Sequence, residues 1–115
     1  MEILRKKNST DKASTLYNML HGSSRLALKQ FDGDTMEIEN YIVFSDENQD
    51  GEPMTCVTIR EPDGTMWTTN GATFVRDFCT ILEACESCGE TVTAIKIVDG
   101  KSKKGRTFRT CEMVE

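Results

Sequence analysis

Residues 91–114 read TVTAIKIVDGKSKKGRTFRTCEMV, and the fold turns on how this stretch is read. Val92, Ala94, Ile95, Ile97 and Val98 form a run rich in β-branched residues that stops at Asp99-Gly100, a turn signal. A second run alternates, with Phe108, Thr110 and Glu112 on one face and Arg109, Cys111 and Met113 on the other. Between the runs lie Lys101, Lys103, Lys104 and Arg106. A hydrophobic core has no use for four cations in so short a window. The reading is a β-hairpin with a basic tip, suited to gripping a polyanion, and with Phe108 near enough to stack on a base.

Upstream, Phe74, Phe78, Ile81, Leu82 and Cys85 recur at helical spacing and predict a helix over 73–85, capped by Thr73 or Asn70. Before it, Met54 to Arg60 and Thr65 to Thr69 flank the turn Pro62-Asp63-Gly64 and predict a hairpin. Thr35 to Phe44 reads as one further strand. Its first half alternates, but Tyr41 and Val43 make the polar face apolar toward its end. Ser23 to Gln30 fits either strand or loop. Ser9, Thr10 or Asp11 can cap a short helix that runs to about His21 and is stopped by Gly22. The resulting order is helix, three strands, helix, two strands. That is a mainly β, α+β reading: an OB-fold-like five-stranded barrel with one N-terminal helix and one helix between strands 3 and 4. Residues 1–115 form a single domain in this reading.

The chain of 115 residues has a net charge of −5, which at first sight opposes nucleic-acid binding. Its distribution reverses that inference. Residues 1–31 hold six cations against two acids, residues 32–90 two against fourteen, and residues 91–115 six against three. Two basic ends flank an acidic middle, and a phosphate backbone responds to the local field. The charged start Met1 to Lys7 lacks the apolar core of a signal peptide, and no run has transmembrane length. The expectation is a protein of the cytoplasm, of the bacterial host in the reading given below, with no membrane partner. Five cysteines in such a chain favour reduced thiols.

Motifs for other chemistry are incomplete. Asp46-x-Asn48-x-Asp50-Gly51 opens like a calcium loop, but its twelfth position is Val57 where a bidentate Glu belongs. Cys85-x-x-Cys88 is half a zinc site without a patterned second half. His21, the only histidine, has no nucleophile motif beside it. No catalytic residue, metal site or cofactor is assigned, and the chain is not read as an enzyme. The candidate site is instead one for nucleic acid: Lys101, Lys103, Lys104, Arg106 and Arg109 for phosphates, with Phe108, Trp67 and Tyr41 as strand aromatics for stacking.

Two segments carry a resemblance: Thr69-Asn70-Gly71-Ala72-Thr73-Phe74-Val75-Arg76-Asp77-Phe78, and Gly100 to Cys111 with its Ser102-Lys103-Lys104-Gly105-Arg106-Thr107-Phe108 core. In order and with similar spacing, they resemble the single-stranded DNA-binding proteins of tailed phages of Gram-positive bacteria. The resemblance spans roughly residues 35–114 and includes the Asp-x-Asn-x-Asp-Gly-Glu loop. It implies an OB-like protein that coats single-stranded DNA in replication or recombination without sequence preference, and it leaves homo-oligomer formation open. By match to the second segment, Lys103, Lys104, Arg106 and Phe108 would bind, with Gly105 supplying the turn. The Cys85-x-x-Cys88 pair departs from the family pattern, and the acidic C-terminal tail of cellular single-strand binders is missing beyond Glu112 and Glu115. A rival reading is a phage-encoded acidic inhibitor of a host nucleic-acid-binding or defence protein, whose acidic middle would mimic nucleic acid.

Overall fold

Between Ile38 and Glu39 the chain changes sheets. Ile38 N–H donates to Thr93 O at 2.9 Å, while Glu39 N–H donates to Arg60 O at 2.9 Å. The single strand expected over Thr35 to Phe44 is therefore two in the computed structural model, which describes residues 1–7 and 12–114. Strands β1 (Glu2–Lys6), β2 (Leu26–Ala27), β3 (Thr35–Glu37), β4 (Asn40–Glu47), β5 (Pro53–Arg60), β6 (Met66–Thr69), β7 (Ala94–Lys101) and β8 (Thr107–Met113) are joined by helices α1 (Ala13–His21) and α2 (Ala72–Ser87). One sheet has the order β1-β4-β5-β6-β2 and the other β3-β7-β8. The chain is thus mixed α+β and mostly strand. The sheets do not close, which corrects the expected five-stranded barrel.

The change of sheet explains the pattern that alternation could not. In β4 and β5, Tyr41, Val43, Val57 and Ile59 face a core shared with Phe74 and Phe78 of α2 and with Met36, Ile95 and Ile97 of the smaller sheet. Their neighbours Ile42, Phe44 and Cys56 point the other way, with Met66 of β6, onto Met19 and Leu20 of α1. Both faces of the large sheet are covered, so both are apolar.

α2 packs against the edge strand β8 and against β5. Its first residue follows Gly71, and no side chain caps it, so neither Thr73 nor Asn70 has the expected capping role. Thr69 Oγ1 instead accepts from Gly71 N–H at 3.1 Å. The proposed caps of α1, Ser9, Thr10 and Asp11, lie outside the described residues. Gly22 ends α1 through close approach: a Cβ there would sit 2.4 Å from Asn18 O. The charged N-terminal stretch, to which the sequence reading gave no element, forms β1, bulged between Ile3 and Arg5. Arg5 straps it to α2 through Glu86 (2.9 Å) and Glu83 (3.2 Å).

β6 and β8, the strands a closed barrel would pair, are separated by residues 26–31. β2 runs parallel to β6, with Leu26 opposite Trp67 and Ala27 opposite Thr68. The 3-10 turn that follows, Leu28–Gln30, is then held by Arg109 of β8. This segment occupies the seam.

Candidate nucleic-acid interface

The β7–β8 hairpin forms, but β7 does not stop at the Asp99-Gly100 turn signal: it pairs on through Gly100, opposite Phe108, to Lys101, opposite Thr107. Its turn is built by Ser102 N–H donating to Arg106 O (2.8 Å) and Gly105 N–H to Ser102 O (2.9 Å). Gly105 has φ +79, a left-handed conformation that glycine accepts at no steric cost and that finishes a turn of this length. Lys101, Lys103, Lys104 and Arg106 all lie exposed on this tip. Among the described residues none of the four side chains has an ion-pair partner, whereas Arg5, Arg60, Arg76 and Arg109 each meet a carboxylate. The tip is a local, uncompensated positive field.

Phe108 stands next to these cations and is 37% exposed. Its ring lies across Gly100: a Cβ on that glycine would come within 2.6 Å of Phe108 Cζ. A side chain of any size at position 100 would lift or displace the ring. Phe108 and Lys29 both line a groove of about 280 Å³ that continues over Thr69, Gly71 and Ala72. The same two residues line an adjoining depression with Thr107 and Asp99. Lys29 comes from the N-terminal basic region and here lines the same hollows as Arg109 of the C-terminal one. Lys29 was absent from the expected set, and only its position in the +4 segment hinted at it.

Of the remaining expected residues, Arg109 lines both hollows beside Phe108, while Tyr41 and Trp67 line neither. Tyr41 is only 8% exposed and meets Phe78 edge-to-face at 5.6 Å between centroids. Burial, with Glu86 nearby, raises its hydroxyl pKa above the ordinary tyrosine value. With its ring packed in the core, Tyr41 is withdrawn from the stacking set. Trp67 is half-buried, T-shaped against Phe31 at 5.3 Å, and its Nε1–H donates to Glu61 at 2.6 Å. It braces the seam segment and does not line the groove.

Arg109 is cationic but committed. Nε and Nη2 donate to the two Asp99 oxygens at 2.9 and 3.2 Å, and Nη1 donates to Phe31 O at 2.6 Å and Leu28 O at 3.1 Å. These bonds hold the Asp99 carboxyl below the usual carboxylate range and raise the guanidinium. Its work is to join β8 to the seam.

The other motifs resolve into local structure. In the acidic β4–β5 loop, Asn48 Oδ1 accepts from Asp50 N–H (2.9 Å) and Glu52 N–H (3.0 Å), which explains Asn48 as a turn former. Cys85 is buried and Cys88 exposed at the end of α2. No group of three or more metal-ligating side chains gathers among the described residues, and none of their helices is long and apolar enough to cross a membrane.

Comparison with known proteins finds no matching family, no similar curated protein and no similar solved structure.

Proposed function

We propose that this protein binds single-stranded DNA without sequence preference and coats it during phage replication or recombination. The observation that carries the reading is the unpaired cationic tip beside an exposed phenylalanine. Lysine and arginine heads neutralise phosphates and release counterions, while a ring face accepts any base because every base has a π-face. The acidic middle of the chain, residues 32–90 with fourteen acids against two cations, would oppose indiscriminate binding of phosphates.

Strand order supports an OB-like assignment at the finer level. Following the bent chain Thr35–Glu47 through both sheets gives β8-β7-β3/β4-β5-β6. That is the order of a partly open five-stranded barrel, with α2 between its third and fourth strands. Such barrels engage oligonucleotides with the loop between strands 4 and 5, which here is the lysine turn. The loop between strands 1 and 2 carries Asp50 and Glu52, with Glu47 at its edge, so it would offer phosphates no cation.

Fluorescence anisotropy of labelled oligo(dT) tests the proposal. Binding at micromolar protein and low salt is expected, equal for mixed-sequence strands and weaker for duplex. No binding under those conditions would end it. The rival, charge mimicry by the acidic middle, predicts that oligo(dT) does not bind and that charge reversal at Lys103 and Lys104 leaves activity intact.

A further inference from the structure

A second cavity, of about 420 Å³, lies between α1 and the large sheet. Its floor is apolar, with Leu20, Phe44 and Met54. Around them stand His21, Arg25, Asp46 and Asn70, four side chains that differ in charge and hydrogen-bonding sense. None of these served the site described above.

The cavity is not isolated. Thr69 lines both it and the groove beside Phe108, so the path from that groove rounds the end of β6, from one face of the large sheet to the other. The charge pattern says what its end would accept. A phosphate pocket would not set a carboxylate among its donors. Here Asp46 and Arg25 act in opposite senses on the Cys56 thiol beneath them, which burial pushes up, Asp46 pushes further and Arg25 lowers. Asp46 Oδ1 already takes Glu47 N–H at 2.9 Å, while Oδ2 has no partner among the described residues. Arg25 is anchored through Nε to Gly22 O (3.1 Å) and Nη1 to Met19 O (3.4 Å), which fixes its guanidinium at the cavity. An apolar floor rimmed by both donors and acceptors suits a flat ring whose edge carries both, and that is the chemistry of a nucleobase.

We propose that this cavity is a nucleobase subsite, taking one unstacked base of a strand whose backbone is held at the hairpin. The inference rests on the single-strand reading of that hairpin. Asn70 and Arg25 would donate to a carbonyl oxygen or ring nitrogen of the base, Asp46 would accept from a ring or exocyclic N–H, and Met54 would cover a face. Every base offers both kinds of edge group, so the subsite adds affinity without demanding one sequence.

His21 is the only histidine, so its ring signals in an NMR spectrum of the full chain report on the cavity mouth without ambiguity. Oligo(dT) of about 4 to 16 nucleotides, the range small barrels occupy, is the probe. Short strands should shift Gly105 and Phe108 alone, and longer ones should also shift the His21 ring and the Asn70 side-chain amide. Ala27→Phe, which fills the cavity from β2, should weaken the longest strand about five- to tenfold, the scale of one or two hydrogen bonds, and leave the shortest unchanged. Saturation by the longest strand with His21 and Asn70 unmoved would overturn the subsite while leaving the hairpin reading intact. Shifts produced by free thymidine but not by oligonucleotides would also overturn it, making the cavity a separate nucleoside site. If the wild-type chain binds no strand of any length, hairpin reading and subsite fall together.

Discussion

Arg109 Nη1 donates to the backbone carbonyl of Phe31 at 2.6 Å, across the seam where the sheets fail to close. With the bond to Leu28 O and the paired bonds to Asp99, one guanidinium satisfies two carbonyls and one carboxylate. Its side chain is 22% exposed, against 65% for Asp99. The ion pair is therefore largely screened, and the carbonyl bonds carry most of the effect. Arg109→Ala should cost about 2 kcal/mol, since hydrogen bonds to a charged donor contribute about 1.5–3 kcal/mol. A urea titration should show a lower midpoint at unchanged slope, and Arg109→Lys should rescue little because it loses the fork.

Acid should loosen this seam and two other contacts. Three carboxyls are held below their ordinary range: Asp99 by Arg109, Asp77 by Arg76 and Thr110, and Asp63 by the Thr65 backbone N–H. For a depressed carboxyl, the stabilisation is complete above the unfolded value of about 4 and is lost as pH falls through the folded one. Melting temperature should accordingly fall between about pH 5 and pH 2. Asp99→Asn should melt lower at neutral pH and fall less steeply. Parallel curves for the two proteins would show that Asp99 makes no such contribution.

Phe108 and Gly100 form a coupled pair on the hairpin. Phe108→Ala should weaken oligo(dT) binding by about 1–3 kcal/mol, roughly 5- to 150-fold, the worth of one base stack. Because the ring is partly exposed, melting should change little. Gly100→Ala retains the aromatic residue but displaces its ring, and should reproduce much of that loss. Tyr41→Phe should leave affinity unchanged, since the core holds that ring.

Much of this was legible from residue order. The two hairpins, the core face of α2 and the cationic turn follow from alternation, helical spacing and turn residues. What escaped the sequence depended on partners distant along the chain. Alternation could not locate the break at Ile38-Glu39, because the sheet change is written in hydrogen bonds to Thr93 and Arg60. β1 was hidden by its charges, of which Arg5 faces α2. Arg109 and Lys104 look alike in composition, yet one is bonded on every side and the other is free among the described residues. Tyr41 looked like a strand aromatic open to solvent because nothing local announces that α2 crosses beneath it.

Thiol chemistry separates the cysteines. Cys88 is exposed, while Cys56, Cys85 and Cys111 are buried. Burial pushes the Cys111 thiol to about 12, with Asp77 adding to it. Native-state alkylation at pH 8 followed by peptide mass spectrometry should label Cys88 first and spare Cys111 until the chain unfolds.

The central claim is that the lysine turn grips phosphates, and the salt dependence of oligo(dT) affinity tests it most directly. If all four tip cations neutralise phosphates, the logarithmic slope should be about −3, at ~0.7 per phosphate. Lys103→Glu with Lys104→Glu should reduce the magnitude of that slope by at least ~1.4 and lower affinity sharply at low salt, with melting unchanged. A wild-type slope that survives the double charge reversal would contradict the account.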